Sequence, residues 1–268
     1  MKKNKTTFIM ILFFFVGLLI LFYPLISNIY NQKIHSKAIV DYENILKNYD
    51  FDKYKNEIEK AQNYNNQLKM LENPLQSFKL IEGYNEILNI GNTGMIGHIK
   101  IDKINVKLPI YHGISEKVLN KAVGHIEGTS LPIGGKGTHS VLSAHRGLPS
   151  SKLFTDLDKI EIGDIFLINV LDKELTYEVD QILIVEPSNI EEIEIDSNED
   201  YITLITCTPY AINTHRLLVR GKRIENTNKK MYITTEAFKV NNVIVMLLIE
   251  IPTILIILIF ILFKPIKK

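Results

Sequence analysis

The chain has one cysteine, Cys207, no tryptophan, and four arginines (Arg146, Arg216, Arg220 and Arg223) among 31 Lys and Arg side chains. A single cysteine excludes an internal disulfide, so an exported domain built from this sequence must be held by an ordinary apolar core. A net charge of +1 argues against a nucleic-acid partner. Neither a CxxC nor an HExxH spacing occurs, so no zinc site is expected, and the acidic run Asp196, Glu199 and Asp200 reads as a solvated loop rather than a calcium site. Gly-rich phosphate loops, internal repeats and low-complexity tracts are also missing, and no cofactor is implied.

Long apolar runs are present, and there are two. Residues 8–26, "FIMILFFFVGLLILFYPLI", carry no charge and have roughly the length a helix needs to cross a bilayer. Residues 243–263 form the second run, interrupted by Glu250 and Pro252; a charge there costs a few kcal/mol against the surrounding Ile and Leu. Lys2, Lys3 and Lys5 precede the first run and three lysines close the chain. The positive-inside rule therefore predicts cytoplasmic ends (1–7 and 264–268), two membrane spans, and an extracellular portion between them. No small-x-small cleavage site follows the first run, so it is expected to remain as an anchor.

Within the outer portion, apolar residues recur at 34, 38, 42, 45 and 49 and again at 51, 54, 58, 61, 64, 68 and 71. That three-and-four spacing predicts amphipathic helices over 27–71. Asn73-Pro74 and the glycines at 91 and 94 mark 72–93 as a connecting segment. Short β-rich runs follow at 95–101, 104–110, 139–145, 164–171, 174–185, 201–207 and 215–223. About eight strands with brief helical insertions predict a mainly β domain over 94–223, an antiparallel sandwich or closed barrel. A polar linker, 224–242, leads to the second span.

Cys207 closes the β-branched run "YITLITC", and "HRLLVRGKR" reads as the next strand. If residues 208–215 close a hairpin, the register sets Cys207 opposite Arg216, with Cβ atoms about 5 Å apart on one face. A guanidinium there favours thiolate over thiol and can bond the oxyanion formed when sulfur attacks a carbonyl. Arginine in a lysine-dominated chain suggests that a planar, multidentate donor is wanted; Arg220 and Arg223 also fit as plain surface residues. Acyl transfer needs an acid/base for the leaving amine. Of seven histidines, His145 is the best placed, at the strand-to-loop junction "HSVLSAHRGLPSS", although a structural histidine fits the same spacing.

Three stretches, "IDKINVKLPIYHGISEKVLNKAVGHIEGTSLPIGG", "HSVLSAHRGLPSSKLFTDLDKI" and "TLITCTPYAINTHRLLVRGKR", resemble the class C sortases, the pilin-polymerising transpeptidases of Gram-positive bacteria. The resemblance spans roughly 95–223. It implies an eight-stranded sortase β-barrel with Cys207 as nucleophile, His145 as acid/base and Arg216 as oxyanion-stabilising or substrate-positioning cation. Thr206, Ser143 and Ala144 are implied as substrate-binding neighbours. The implied reaction cleaves an LPXTG-like signal between Thr and Gly and passes the acyl group to a lysine amine of the next pilin subunit, at the outer face of the cytoplasmic membrane. Many class C sortases carry an Asp-Pro-aromatic lid; here the matching positions are Asn73, Pro74 and Leu75, which offer neither an ion pair to Arg216 nor a ring to cover Cys207, so a weaker or differently held lid is expected. The alternatives are a sortase that uses a peptidoglycan amine for cell-wall anchoring and, from another class, a non-catalytic adhesion or scaffold domain with Cys207 as core filling.

Overall fold

The computed structural model describes residues 2–226. The expected second span, most of the linker before it and the terminal tail lie outside the described residues. Helix α1 runs without a break from Lys2 to Lys47 and carries Pro24 inside it. The helix continues across 26/27, where the apolar run ends, because nothing between Leu25 and Lys47 breaks it. The apolar run and the first amphipathic segment therefore form one element. Among the described residues this is the helix long and apolar enough to cross a membrane. Its end at Asn48–Asp50 is followed by α2 (Phe51–Leu68), whose N-cap Asp50 accepts from the Asp52 backbone N–H.

Both helices seat on the domain by the faces their spacing marks. Ile39 and Tyr42 of α1 and Ile58, Ala61, Tyr64 and Leu68 of α2 are buried. Polar groups fix the docking. Tyr42 donates to the Ile96 carbonyl at 2.9 Å and accepts from the Leu171 N–H at 3.0 Å. The Asn65 amide exchanges two hydrogen bonds with the Leu131 backbone, at 3.1 and 2.7 Å. Between α2 and the barrel the connecting segment holds one short helix, α3 (Pro74–Ser77), and two 3-10 turns.

The barrel has eight strands: β1 (Met95–Ile101), β2 (Val106–His112), β3 (Val123–His125), β4 (Thr138–Ser143), β5 (Ile165–Val170), β6 (Lys173–Val185), β7 (Asp200–Thr208) and β8 (His215–Ile224). The brief helix α4 (Glu116–Leu119) lies between β2 and β3. The closed order is β1-β2-β3-β4-β7-β8-β6-β5. Of the two folds left open by strand spacing, the barrel is correct, and its pairing is mixed. β2–β3 and β4–β7 are parallel and the other pairs antiparallel. β3 has only three residues, Val-Gly-His, too few to show alternation, so the sequence pattern passes over it. Stacked Phe166 and Tyr177, with Ile99, Ile168, Leu204 and Val219, fill the interior.

Candidate active site

The order of strands decides what surrounds the thiol. β7 lies between β4 and β8, and Cys207 is next to last in it. On one side the antiparallel ladder pairs Cys207 with Arg216, and Thr208 with His215. On the other side the parallel ladder pairs Ser143 with Ile205. Continuing that register for two residues brings His145 level with Cys207. A hydrogen bond from the Ala144 N–H to the Ile205 carbonyl (3.2 Å) and one from the Thr206 hydroxyl to the Ala144 carbonyl (2.9 Å) hold the two strand ends together past the last paired residues. The thiol, a histidine and an arginine thus come from three adjacent strand ends at one rim.

Each of the three remains partly exposed. Among the described residues the His145 ring forms no hydrogen bond to protein, and Arg216 pairs with no carboxylate. The Arg216 guanidinium instead donates to the backbone carbonyls of Asn213 and His215, at 3.2 and 3.1 Å, which holds its stem along the β7–β8 loop. The other arginines of β8 differ: Arg220 forks onto Asp180 at 3.1 and 2.8 Å and stacks 4.2 Å over Tyr201, and Arg223 bonds the carbonyls of Thr176 and Ile224. Those two brace the wall. A guanidinium without a carboxylate, beside a thiol, is available to an oxyanion.

Thr206 and Ala144 are buried, and their hydrogen bond ties β4 to β7; Ser143 is partly exposed on the face that carries His145. Residues of the acidic run serve locally. Asp200 accepts from Tyr177 and from the Gly135 N–H, Glu199 pairs with Lys222, and Asp196 caps Asn198. Burial raises the Asp200 carboxyl above its ordinary range, against those hydrogen bonds. Among the described residues no group of three or more His, Cys, Asp or Glu side chains is arranged to hold a metal.

Leading away from the thiol on the same outward face is an apolar strip. Side chains alternate along a strand, so Ile205 shares the face of Cys207, and Leu218, its partner, shares that of Arg216. With Val141 and Ile193 these form a small cluster separate from the barrel core, against which Leu75, Leu183 and Val185 pack. Leu75 is the third residue of the lid-like segment. Its backbone crosses Gly128 so closely that a Cβ there, at φ +84°, would stand 2.8 Å from Leu75 Cα. Asn73 makes no side-chain capping bond. Beside the segment, a crevice of about 290 Å³ is bordered by Leu71, Pro74, Ile190 and Ile195, so Leu75 is covered on one flank only. The segment therefore lies on the strip by apolar contact.

Sequence reasoning singled out Cys207, His145 and Arg216, which the strand order brings to one rim. It gave Arg146, Thr208 and Tyr210 no role, yet Arg146 contacts both of the others within that rim. The scarcity of arginine was the available signal.

A sequence profile of the sortase domain matches residues 99–224. Among solved structures, sortase C1 from Streptococcus agalactiae is similar at 50% identity, covering 71% of this chain and 99% of that one, with a TM-score of 0.65. Sortase C from Clostridium perfringens, solved with the C-terminal cell wall sorting motif, is 45% identical over 71% of this chain and 99% of that one, with a TM-score of 0.62. A curated sortase of Streptomyces coelicolor is 33% identical over 141 residues, 47% of this chain and 40% of that protein. Across the curated relatives the match spans between 40% and 63% of their length.

Proposed function

Since the chain belongs to the sortase family, and solved structures that it matches at 41–50% identity are sortases of class C, we propose that it is a cysteine transpeptidase that joins pilin subunits through an LPXTG-like sorting signal. The observation that carries the reading is the strand order β4-β7-β8, which lines up His145, Cys207 and Arg216 at one rim. In the first half-reaction the Cys207 thiolate attacks the carbonyl carbon of the signal's threonine. Arg216 donates to the oxyanion as charge moves onto oxygen. The C–N bond to glycine then breaks, and imidazolium at His145 gives its proton to the departing amine. Sulfur keeps the acyl group as a thioester.

In the second half-reaction a neutral lysine amine of another pilin attacks that thioester. His145 takes the proton released from nitrogen, and the sulfur leaves as thiolate, so the site returns to its starting charge. Splitting amide exchange into two covalent steps keeps the acyl group activated where no ATP is at hand. The apolar strip of Val141, Ile205 and Leu218 suits the leucine and proline of such a signal, and Leu75 acts as a lid that the signal displaces. We place the enzyme at the outer face of the cytoplasmic membrane, anchored by the apolar half of α1.

Mass spectrometry of the full chain in detergent after exposure to an LPXTG-type peptide tests the reaction. An acyl adduct on Cys207 supports the reading, and its absence refutes it. Incubation with an intact pilin then separates the acceptors: a ladder of lysine-linked oligomers supports polymerisation, while products formed only with a wall-peptide amine make it a cell-wall anchoring enzyme.

A further inference from the structure

Arg146 follows His145 directly, and the reaction above gives it no part. Its side chain is 9% exposed, and its guanidinium touches three side chains. Two pieces of chain meet it, residues 208–210 and the turn that holds Asp158: one terminal nitrogen donates to the Thr208 hydroxyl at 3.3 Å, one residue past the thiol. The other pairs with Asp158, in the 3-10 turn Leu157–Lys159. The carbon between them lies 5.8 Å from the ring centroid of Tyr210 in the β7–β8 loop. Gly147 completes the joint. It has φ +77°, and a Cβ there would stand 2.9 Å from Tyr210 Cε2, so the tyrosine ring lies against bare backbone.

Stability does not account for this arrangement. The Arg146 Nε is buried and finds no acceptor among the described residues. Its partner Asp158 is 45% exposed, so their attraction is screened while the cation bears most of its desolvation penalty. An apolar side chain of similar length would pack beneath Tyr210 without that penalty. What the joint does supply is position. The β4–β7 ladder stops at Ser143–Ile205, two residues short of His145, and among the described residues the His145 ring has no hydrogen-bond partner. The hydrogen bond from Arg146 to Thr208 spans the two strand ends just beyond the thiol, and the ring of Tyr210 closes over it.

We infer that Arg146 is a positioning residue: it clamps the loop that bears His145 onto the strand end that bears Cys207, through Thr208, Asp158 and Tyr210, and so sets the distance between imidazole and sulfur. The inference rests on the Cys207–His145 reading of the reaction. Proton transfer needs heavy atoms about 3 Å apart, and misplacement by about 1 Å lowers rates roughly 100-fold.

The test uses the full chain in detergent with Arg146→Met, Arg146→Lys and His145→Ala. Four quantities are read: Tm, kcat and KM for a sorting peptide, and the pH profile of Cys207 alkylation by iodoacetamide, which reports the thiol within its coupled pair. Besides His145, the titratable or charged groups at this rim are Arg146, Asp158, Tyr210, His215 and Arg216. Arg146→Met is expected to leave Tm within about 2 °C and KM within about twofold, to lower kcat roughly 100-fold, and to move the alkylation profile toward that of His145→Ala. Arg146→Lys, which reaches Asp158 or Thr208 but not both, is expected to fall between. A wild-type profile and kcat in Arg146→Met overturns the inference, as does a loss confined to KM, which would make the arginine a substrate ligand. If Arg146→Met does not fold, Arg146→Lys decides alone by whether its profile moves. His145→Ala separates the two failures. If it too leaves the profile unmoved, the thiol–imidazole pairing is wrong; if it moves the profile and Arg146→Met does not, only the clamp is.

Discussion

His139 and His145 lie six residues apart on one stretch of chain, and they are treated in opposite ways. His139, in β4, has both ring nitrogens occupied: Nδ1 at 2.8 Å from the Glu194 carbonyl and Nε2 at 2.7 Å from the Thr203 hydroxyl. His125, in β3, is likewise held, with Nε2 at 2.9 Å from the Ser130 carbonyl and Nδ1 at 2.8 Å from the Tyr84 hydroxyl. Burial pushes both rings down to about 4. Such a ring is a neutral strut with one fixed donor and one fixed acceptor. His145 sits at a half-open rim with neither ring nitrogen hydrogen-bonded among the described residues, and a proton carrier needs that freedom. The lesson is that within this one chain the type of side chain says little, while the number of fixed partners tells structure from chemistry.

Exchanging the two kinds of histidine is the strongest way to break that contrast. His145→Ala is expected to lower kcat/KM for a sorting peptide by about a thousandfold or more while Tm stays near wild type. His125→Ala removes the buried hydrogen bonds of both ring nitrogens and should cost about 2–4 kcal/mol of stability, seen in denaturant unfolding. The activity per folded molecule should survive. A reversal, with His125→Ala inactive but stable, would end the distinction.

The arginines of β8 offer the same contrast with a smaller effect. Arg216→Ala should lower kcat by about 10²–10³, with partial return in Arg216→Lys, because the proposed oxyanion donor is gone. Arg220→Ala removes a partly exposed ion pair and is expected to cost no more than about 1 kcal/mol, with kcat within about twofold. Peptide-cleavage kinetics on the two variants side by side decide the matter.

How far these contrasts were legible in the sequence differs by level. Strand runs and the Cys207–Arg216 register could be read from alternation and hairpin length, because both are local. The placement of His145 beside Cys207 could not, because it depends on β4 lying parallel to β7, a pairing that skips two intervening strands. β3 was invisible for want of length, and α1 looked like two elements because its apolar run and its amphipathic half differ in composition but not in backbone. Arg146 was missed for a related reason: its partners lie far along the chain, Asp158 in a 3-10 turn and Thr208 and Tyr210 at the end of β7 and just past it, and no spacing rule joins them to it.

The buried histidines also make the fold itself sensitive to pH, with a sign that follows from their depressed values. In the unfolded chain each titrates near 6.5; in the folded chain His125 and His139 stay neutral down to about 4. Between those values the unfolded state binds more protons, so stability is full above pH 6.5 and is lost as pH falls toward 4. The loss should be on the order of 2–3 kcal/mol for each ring, measured as the shift of the urea midpoint with pH. A His139→Gln chain, which keeps a donor and an acceptor without a titrating ring, should show a shallower slope. An unchanged slope would remove His139 from the account.

The smallest expected effect concerns the lid, where the contrast is between a segment held by charge and one held by contact. Leu75 touches the strip of Val141, Ile205 and Leu218, and neither Asn73 nor Pro74 contributes a polar bond to Arg216. Truncating one partly covered leucine removes on the order of 1 kcal/mol of that contact, which is a factor of about five in the closed-to-open ratio. Leu75→Ala is therefore expected to raise the rate of Cys207 alkylation and of peptide cleavage at low substrate by a few-fold, with kcat at saturation unchanged. Gly128→Ala should act in the same direction from beneath, since its Cβ would stand 2.8 Å from Leu75 Cα and must displace the segment. Salt separates the mechanisms. A lid held by an ion pair loosens as ionic strength rises, whereas apolar contact is not weakened by screening, so wild-type alkylation rates that climb steeply between about 0.05 and 0.5 M NaCl would show that a charge, not Leu75, holds the segment down.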